Sequence, residues 1–368
     1  MADVVISGYH GFKNSGDEAL LYAILTTLRE KKPDIDVTVL SKTPEETARV
    51  YDVKSISRYS FLKIRKEMKK SGMLLFGGGS LLQDVTSSKS LIYYLLVILL
   101  AQKCKLKTML YANGVGPINK KLNRKLASFI LNRVDIITLR DDKSDEELRN
   151  MKVVKPKIVI TADPAFTLDA DNSLSGKYFT NMAGVPSGTN LCVISLREWK
   201  NAIIGFEEKV AKLCDFMVEE YNISPLFVPM QYPVDLEISK KVISLMKNKA
   251  YVINRELTVP EMFSVLSETE FVIGMRLHSL IYATTLGIPA MAFVYDPKIS
   301  AFMNSLNQPD WINVETMDLD KSKEILRRVI TERELRREEI KKTNKILKKL
   351  AKENADYAME LINKCTKK

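Results

Sequence analysis

Short apolar runs alternate with longer amphipathic segments through the first 170 residues of the chain. The apolar runs read DVVISGY, DVTVL, MLLFGGG, TMLYANGVG, VDIITLRD and KIVITAD. This alternation predicts strands that each lead into a helix, and therefore a parallel sheet covered by helices. Functional loops are expected after the carboxyl ends of such strands.

A second series of apolar runs begins near Asn190 and repeats the pattern, with LCVISLR, SPLFVPMQ, AYVINR, EFVIGMR and IPAMAFVY. The repeat predicts an α/β fold with two Rossmann-like lobes, and the polar stretch 168–189 is the expected junction. We predict domains at 1–175 and 176–320, followed by a basic C-terminal helical segment at 321–368. A cleft between the lobes is the expected place for a ligand.

The longest apolar run, Leu91 to Ala101, has eleven residues. A bilayer-spanning helix needs about 20 apolar residues, so a buried helix is the better interpretation. An interfacial contact with a membrane stays open as the alternative.

The formal net charge of +11 predicts attraction to anions, whether nucleic acid, acidic lipid headgroups or phosphorylated small molecules. Much of the excess lies after residue 320, where a solvated basic helix is expected and a membrane surface is the alternative. Nucleic acid is disfavoured, because aromatic stacking motifs and DNA-reading modules are absent from the sequence. The four cysteines lack metal or disulfide spacing, and no secretory signal begins the chain, so a cytoplasmic location is predicted.

The first strand is followed by a glycine-containing loop that ends in Asp17 and Glu18. Gly11 and Gly16 have phosphate-loop spacing, but Asp-Glu replaces the required Lys-Ser/Thr, which excludes a P-loop ATPase. The fit to a dinucleotide fingerprint is also poor. Ser15 and Glu18 match a capping box, which gives Glu18 a structural role. Asp17 is instead a candidate general base, at a strand-to-helix loop facing the cleft.

Two further kinds of strand-end loop are candidates for ligand binding. Gly78 and Gly79 would let backbone N–H groups approach a ligand, although a tight turn without a ligand explains them equally well. Arg140 and Arg197 carry guanidinium forks that match carboxylate and phosphate, with surface salt bridging as the alternative.

The segment VIGMRLHS at 272–279 is the sharpest feature, because a strand there runs into a helix whose first turn carries Arg276 and His278. An anion would fit at that helix N-terminus. Lys298 follows the next strand and brings a second cation to the same edge. A lone histidine is more often structural, but one that shares a loop with an arginine favours function.

These motifs together resemble the polysaccharide pyruvyl transferase family over about residues 4 to 305, especially bacterial enzymes that act on cell-wall polymers. The matching blocks are NSGDEALL at 14–21, GGGSLLQD at 77–84, RDDKS at 140–144, DPA at 163–165, and GMRLHSLIYA at 274–283 with YDPK at 295–298. The resemblance implies a GT-B-like pair of lobes facing across a cleft, with the acceptor on the N-terminal side. Phosphoenolpyruvate is then the donor co-substrate, and neither a cofactor nor a metal is expected.

Carried over by motif, the resemblance implies roles for individual residues. His278 would act as acid or stabilise the leaving phosphate, and Asp17 would be the base. The donor's carboxylate and phosphate would be held by Arg140, Arg276 and Lys298. Further substrate-binding candidates are Asn14, Gly78, Gly79 and Arg197. The saccharide acceptor is expected on a lipid diphosphate, which would make the enzyme peripheral at the inner membrane face.

Two other classes of function stay open at the sequence level. A glycosyltransferase with a nucleotide-sugar donor shares the expected architecture. Such enzymes commonly clamp a ribose with a glutamate, and no Glu lies between Phe271 and Val314. A non-catalytic anion- or sugar-binding homologue is the third possibility, which the presence of acid, base and cation candidates disfavours.

Overall fold

The computed structural model describes residues 3–170 and 174–365, and it divides into two compact units. Unit 1 takes its described residues from Met1–Lys13, Asp17–Thr167 and Leu347–Lys368, and unit 2 from Asn14–Gly16 and Leu168–Ile346. Residues 171–173 of the expected junction and the last three residues of the tail lie outside the described part. The domain boundaries predicted above stay predictions.

Unit 1 is built on a seven-stranded parallel sheet in the order β3-β2-β1-β4-β5-β6-β7. The strands are β1 (Val4–His10), β2 (Val37–Ser41), β3 (Lys54–Ser57), β4 (Met73–Gly77), β5 (Lys107–Asn113), β6 (Ile136–Leu139) and β7 (Lys157–Ile160). The helices are α1 (Ser15–Lys31), α2 (Pro44–Tyr51), α3 (Phe61–Met68), α4 (Ser88–Lys103), α5 (Lys121–Leu131) and α6 (Asp142–Asn150), and a 3-10 turn covers Pro164–Thr167.

Unit 2 repeats this plan with a six-stranded parallel sheet in the order β10-β9-β8-β11-β12-β13. The strands are β8 (Leu191–Ser195), β9 (Ser224–Phe227), β10 (Tyr251–Val252), β11 (Phe271–Gly274), β12 (Ala290–Val294) and β13 (Trp311–Asn313). The helices are α7 (Gly176–Met182), α8 (Phe206–Tyr221), α9 (Val234–Leu245), α10 (Val259–Ser267), α11 (Leu277–Thr285), α12 (Pro297–Ser305) and α13 (Leu319–Thr331). The α/β fold with two Rossmann-like sheets is confirmed.

Each sheet reverses its strand order once, and this reversal marks where a ligand is expected. In unit 1 the reversal lies between β1 and β4, and in unit 2 between β8 and β11. Helices on either side of a reversal cover opposite faces of the sheet, which leaves a crevice outside the carboxyl ends of the two strands. The loops after these four strands are therefore the first places to look for function.

The apolar run from Leu91 to Ala101 lies in α4, whose inward face belongs to the core of unit 1. The buried-helix interpretation is confirmed for that face, while Ile92 and Leu96 are exposed on the other. Among the helices described, none has both the length and the apolar character needed to cross a bilayer.

The predicted basic segment contains most of α13 and a 33-residue helix, α14 (Arg333–Cys365), which begins in unit 2 and ends in unit 1. Its unit 2 part is anchored by Arg336, which pairs with the fully buried Asp310. Its unit 1 part is anchored by Asn354, whose Oδ1 accepts a 2.8 Å hydrogen bond from the Thr161 hydroxyl. The tail is therefore amphipathic, with cations on its exposed side and a buried side in each unit.

Candidate functional site

In unit 1, Asp17 and the glycine loop after β4 meet at the strand-order reversal. Asp17 lies in the first turn of α1, where the helix dipole favours a carboxylate. Gly78 and Gly79 have φ values of 57° and 75°, which side chains rarely adopt. A Cβ built on Gly79 would lie 3.4 Å from Asp17 Oδ1, so the loop packs against this carboxylate. The Gly78 N–H donates to the Tyr111 carbonyl at 2.8 Å, which makes its role partly structural.

An aromatic pair beside Asp17 was missed by the sequence analysis. The rings of Tyr9 and Phe12 stack with centroids 3.8 Å apart and planes 7° from parallel. Burial raises the pKa of Tyr9, and the negative charge of Asp17 raises it further. The Asp17 carboxylate is therefore close enough to Tyr9 to affect its ionisation. Such a pair, with apolar ring faces and a hydroxyl within the electrostatic influence of a carboxylate, is suited to a sugar ring.

A buried arginine supports this aromatic pair from the end of β3. Arg58 donates from Nη1 to the Gly8 carbonyl at 3.1 Å, and its guanidinium lies 5.0 Å from the Phe12 ring centroid and 4.5 Å from that of Tyr93. Cation–π contacts of this kind are stronger when they are desolvated. Arg58 carries no recognisable motif, and only the fold shows that it belongs here.

His10, the second histidine of the chain, is fully buried at the end of β1. Burial lowers its pKa to about 3, and the positive charge of Arg58 acts in the same direction. His10 is therefore neutral at physiological pH and has no proton to donate as an imidazolium.

Ser15 and Glu18, predicted as a capping box, make contacts beyond the start of α1. The Ser15 N–H donates to the Met230 carbonyl at 2.8 Å. The Glu18 carboxylate accepts from the Gly11 N–H at 2.9 Å and from the Tyr51 hydroxyl at 2.7 Å. Glu18 is structural, as expected, and it secures the loop after β1.

Arg140 follows β6 and forms a buried ion pair. Its Nη1 donates to Asp163 Oδ2 at 2.6 Å, and its Nη2 donates to the Ser80 hydroxyl at 2.7 Å. The side chains of Arg140 and Asp163 are only 8% and 4% exposed. The structure thus joins three motif blocks of the sequence, and it connects Arg140 to the glycine loop. Direct contact between Arg140 and a donor stays a prediction.

In unit 2, Arg197 and Tyr295 bracket the end of β11. Arg197 follows β8 and donates from Nη1 to the Tyr295 hydroxyl at 2.9 Å, while its guanidinium lies 4.7 Å from the Tyr295 ring centroid. Tyr295 follows β12, and β11 lies between β8 and β12 in the sheet. The predicted cation therefore sits at the strand-order reversal of this unit.

Arg276 follows β11 and holds the loop that leads into α9. Its Nε and Nη2 each donate to the buried Asp235 carboxylate at 2.6 Å, and Nη2 also donates to Gln231 Oε1 at 3.0 Å. Gln231 in turn forms an isolated antiparallel bridge with Asn14. The structure therefore brings two predicted binding residues, Asn14 and Arg276, to one short loop, where Arg276 has a clear structural role.

His278 lies in the first turn of α11, next to the NSG segment of the first motif. A Cβ built on Gly16 would lie 2.2 Å from His278 Nδ1, so only glycine leaves room for the imidazole there. Tyr282, one turn further along α11, donates from its hydroxyl to the Ser15 carbonyl at 2.7 Å. The sequence alone did not indicate that residues 14–16 pack on this helix.

Lys298 lies in the first turn of α12, which follows β12. Its N–H donates to Asp296 Oδ1 at 3.0 Å, and its Nζ lies 3.3 Å from Asp296 Oδ2. This lysine is partly exposed, in contrast to Arg276. Because β11 and β12 are neighbours in the sheet, the two residues lie at the same sheet edge. Within residues 3–170 and 174–365, no three His, Cys, Asp or Glu residues are grouped to hold a metal ion.

The fold places the chain among GT-B-like proteins. A putative UDP-N-acetylglucosamine 2-epimerase from Listeria monocytogenes has a TM-score of 0.67 at 13% identity, covering 98% of this chain and 96% of the other. UDP-GlcNAc 2-epimerase from Neisseria meningitidis, bound to UDP-GlcNAc, has a TM-score of 0.64 at 12% identity, covering 98% and 100%. A glycosyltransferase from Rickettsia africae has a TM-score of 0.61 at 13% identity, covering 100% and 99%. At such low identity these similarities establish the fold alone.

The family follows from the sequence comparison. The model of the polysaccharide pyruvyl transferase family matches residues 14–297, and the chain belongs to that family. It is also 22% identical over 363 residues to the amylovoran biosynthesis protein AmsJ of Erwinia amylovora, covering 83% of this chain and 86% of that protein. The family resemblance inferred from the motifs is confirmed.

Proposed function

We propose that this protein transfers the pyruvyl group of phosphoenolpyruvate to a sugar of a polysaccharide precursor, forming a ketal and releasing phosphate. The proposed acceptor is carried on a lipid diphosphate, so the enzyme would work at the inner face of the membrane. Membership of the pyruvyl transferase family supports the reaction class. The donor and the lipid carrier are our proposals.

The observation that carries the proposal is the cationic sheet edge of unit 2. The loops after β8, β11 and β12 bring Arg197, Arg276 and Lys298 to one edge, and His278 lies in the first turn of the helix after β11. Phosphoenolpyruvate carries a carboxylate and a phosphate, and both are stabilised by charge-assisted hydrogen bonds and by a helix N-terminus.

The reaction assigns a step to each chemical group. The methylene carbon of phosphoenolpyruvate takes up a proton, and a sugar hydroxyl forms a bond to the adjacent carbon and loses its own proton. The bond from that carbon to the phosphate oxygen then breaks, phosphate leaves, and a second hydroxyl closes the ketal with loss of its proton. We assign proton donation or stabilisation of the leaving phosphate to His278, and proton removal from the hydroxyl to Asp17.

Release of inorganic phosphate from phosphoenolpyruvate tests this function. The purified protein should release phosphate only when a saccharide acceptor is present, because ketal formation consumes the acceptor. A lipid-diphosphate-linked disaccharide and its soluble synthetic analogue would serve as acceptors. Absence of release with every acceptor, together with turnover of a nucleotide sugar, would replace the proposal with a glycosyltransferase reaction.

Tyr9 provides a test of the acceptor side of the proposal. Tyr9→Ala removes an aromatic face near Asp17, and we expect KM for the acceptor to rise about fivefold, since aromatic pairs contribute about 1 kcal/mol beyond burial. KM for phosphoenolpyruvate should change little, because Tyr9 is not among the residues assigned to the donor. Tyr9→Phe keeps the ring and serves as the control. Equal changes in both KM values would contradict an acceptor role for Tyr9.

A further inference from the structure

A group of large apolar side chains is exposed on the surface of unit 1. Tyr59, just before α3, is 62% exposed, and Phe61 and Leu62, in its first turn, are 43% and 84% exposed. Ile92 and Leu96 are exposed on the outer face of α4. These five residues define the α3–α4 patch. Scattered surface leucines are normal, but apolar groups gathered on two adjacent helices point to a partner.

The two helices of the patch are held together by aromatic contacts. The ring of Phe61 meets that of Tyr93 on α4 edge to face, with centroids 6.0 Å apart. The core side of α3 consists of Ile64 and Met68, which are fully buried. Because α3 is already anchored by this other face, Phe61 and Leu62 are exposed on a fixed helix.

A dense group of cations follows the apolar residues, on α3 and on the two residues directly after it. The exposed cations are Lys63, Arg65, Lys66, Lys69 and Lys70. The one acidic residue of α3, Glu67, accepts from Lys54 Nζ at 2.6 Å and from the Thr38 hydroxyl at 3.2 Å. Its charge is thus shared with a lysine of β3. The surface combines an apolar tip with a strongly positive flank.

We propose that the α3–α4 patch docks on a membrane surface rich in anionic lipids. Aromatic and leucine side chains enter the boundary between headgroups and acyl chains, while lysines and arginines stay at the lipid phosphates. The positive charge of α3 complements such a surface, whereas an uncharged apolar partner would leave five cations without a counter-charge.

The patch also has a physical connection to the candidate acceptor residues of unit 1. Phe61 contacts Tyr93, Tyr93 lies against Arg58, and Arg58 lies against Phe12 of the aromatic pair beside Asp17. Docking through this surface would hold a lipid-linked saccharide near the proposed base. This link rests on the proposed function, whereas membrane docking itself requires neither substrate.

Co-sedimentation with vesicles tests the docking surface without any catalytic assay. The full chain should bind vesicles that contain phosphatidylglycerol, bind neutral phosphatidylcholine vesicles much less, and lose affinity as salt screens the cations. Lys63→Glu/Lys66→Glu should weaken binding by more than about 25-fold, since each cation near the surface contributes about fivefold. Leu62→Glu should weaken binding about tenfold through loss of the inserted side chain.

Two matched variants keep the test specific. Leu122→Glu makes the same substitution at a leucine of α5 that is 80% exposed, and it should bind like the wild type. Lys345→Glu/Lys349→Glu makes the same charge change on α14, the other basic helix. Failure of the wild type to bind anionic vesicles at low salt would overturn the proposal. So would loss of binding in the α14 variant with retention in the α3 variants. Thermal unfolding of every variant confirms that it is folded.

Discussion

His278→Ala should lower kcat for acceptor-dependent phosphate release by about 100-fold or more, the size of a typical general acid–base contribution. KM for either substrate should change less, because the proposed role of the imidazole is in the chemical step. Phosphate release with saturating phosphoenolpyruvate and acceptor measures this effect. Unchanged turnover in the variant would remove His278 from the mechanism.

A second variant separates the chemistry of His278 from its packing. His278→Gln keeps a hydrogen-bonding side chain but cannot donate a proton as an acid, so we expect it to be as slow as His278→Ala. Turnover near the wild-type value would exclude proton transfer by His278 and leave a hydrogen bond, such as one to the leaving phosphate, as the role of this position. Gly16→Ala should also be impaired, because the added Cβ would lie 2.2 Å from His278 Nδ1 and displace the ring.

The dependence of turnover on pH tests the roles of Asp17 and His278 separately, with Asp17→Asn affecting the low-pH side and the His278 variants the high-pH side. A base must be deprotonated to act, so loss of Asp17 should remove the fall in activity at low pH. An acid must be protonated, so loss of His278 should remove the fall at high pH. A profile that keeps both limbs in both variants would assign the proton transfers to other groups.

The sequence predicted all but two of the strands, and those two show which kind of strand an apolar pattern does not reveal. Every apolar run named in the sequence analysis contains a strand of one of the two sheets. The missed strands, β3 (KSIS) and β13 (WIN), each form the outer edge of a sheet. At most one residue of either strand is buried, so neither has the continuous apolar run by which a parallel strand is recognised. The other two edge strands, β7 and β10, lie in the apolar runs KIVITAD and AYVINR and were predicted.

The sequence predicted those residues of the candidate site that directly follow a strand. Gly78, Arg140, Arg276 and His278 follow apolar runs, and parallel topology brings such positions to the same edge. Their partners were not predictable. Asp235 lies on α9, 41 residues before Arg276 along the chain, and carries no motif that would link the two. Such pairing depends on tertiary packing, for which periodicity gives no signal.

Arg140→Ala and Asp163→Ala should each lower the free energy of unfolding by about 3–5 kcal/mol, because either change removes the opposite charge of a buried ion pair. The double variant should lose less than the sum of the two single losses, since it removes both charges. Urea unfolding followed by circular dichroism measures all three differences. Single losses below about 1 kcal/mol would show that the pair does not stabilise unit 1.

The exposed ion pair of Arg149 and Asp145 in α6 is a matched control, with the arginine side chain 74% exposed. Arg149→Ala should lower the free energy of unfolding by no more than about 0.5 kcal/mol, because water screens such a pair.

KM for phosphoenolpyruvate distinguishes donor binding by Arg140 from a purely structural role. It is measured under conditions in which Arg140→Ala is still folded. If Arg140 contacts the donor, KM rises strongly and Asp163→Ala does not reproduce the rise. If Arg140 only holds the loop of Gly79 and Ser80, both variants change the kinetics together, because either one releases the same buried contact.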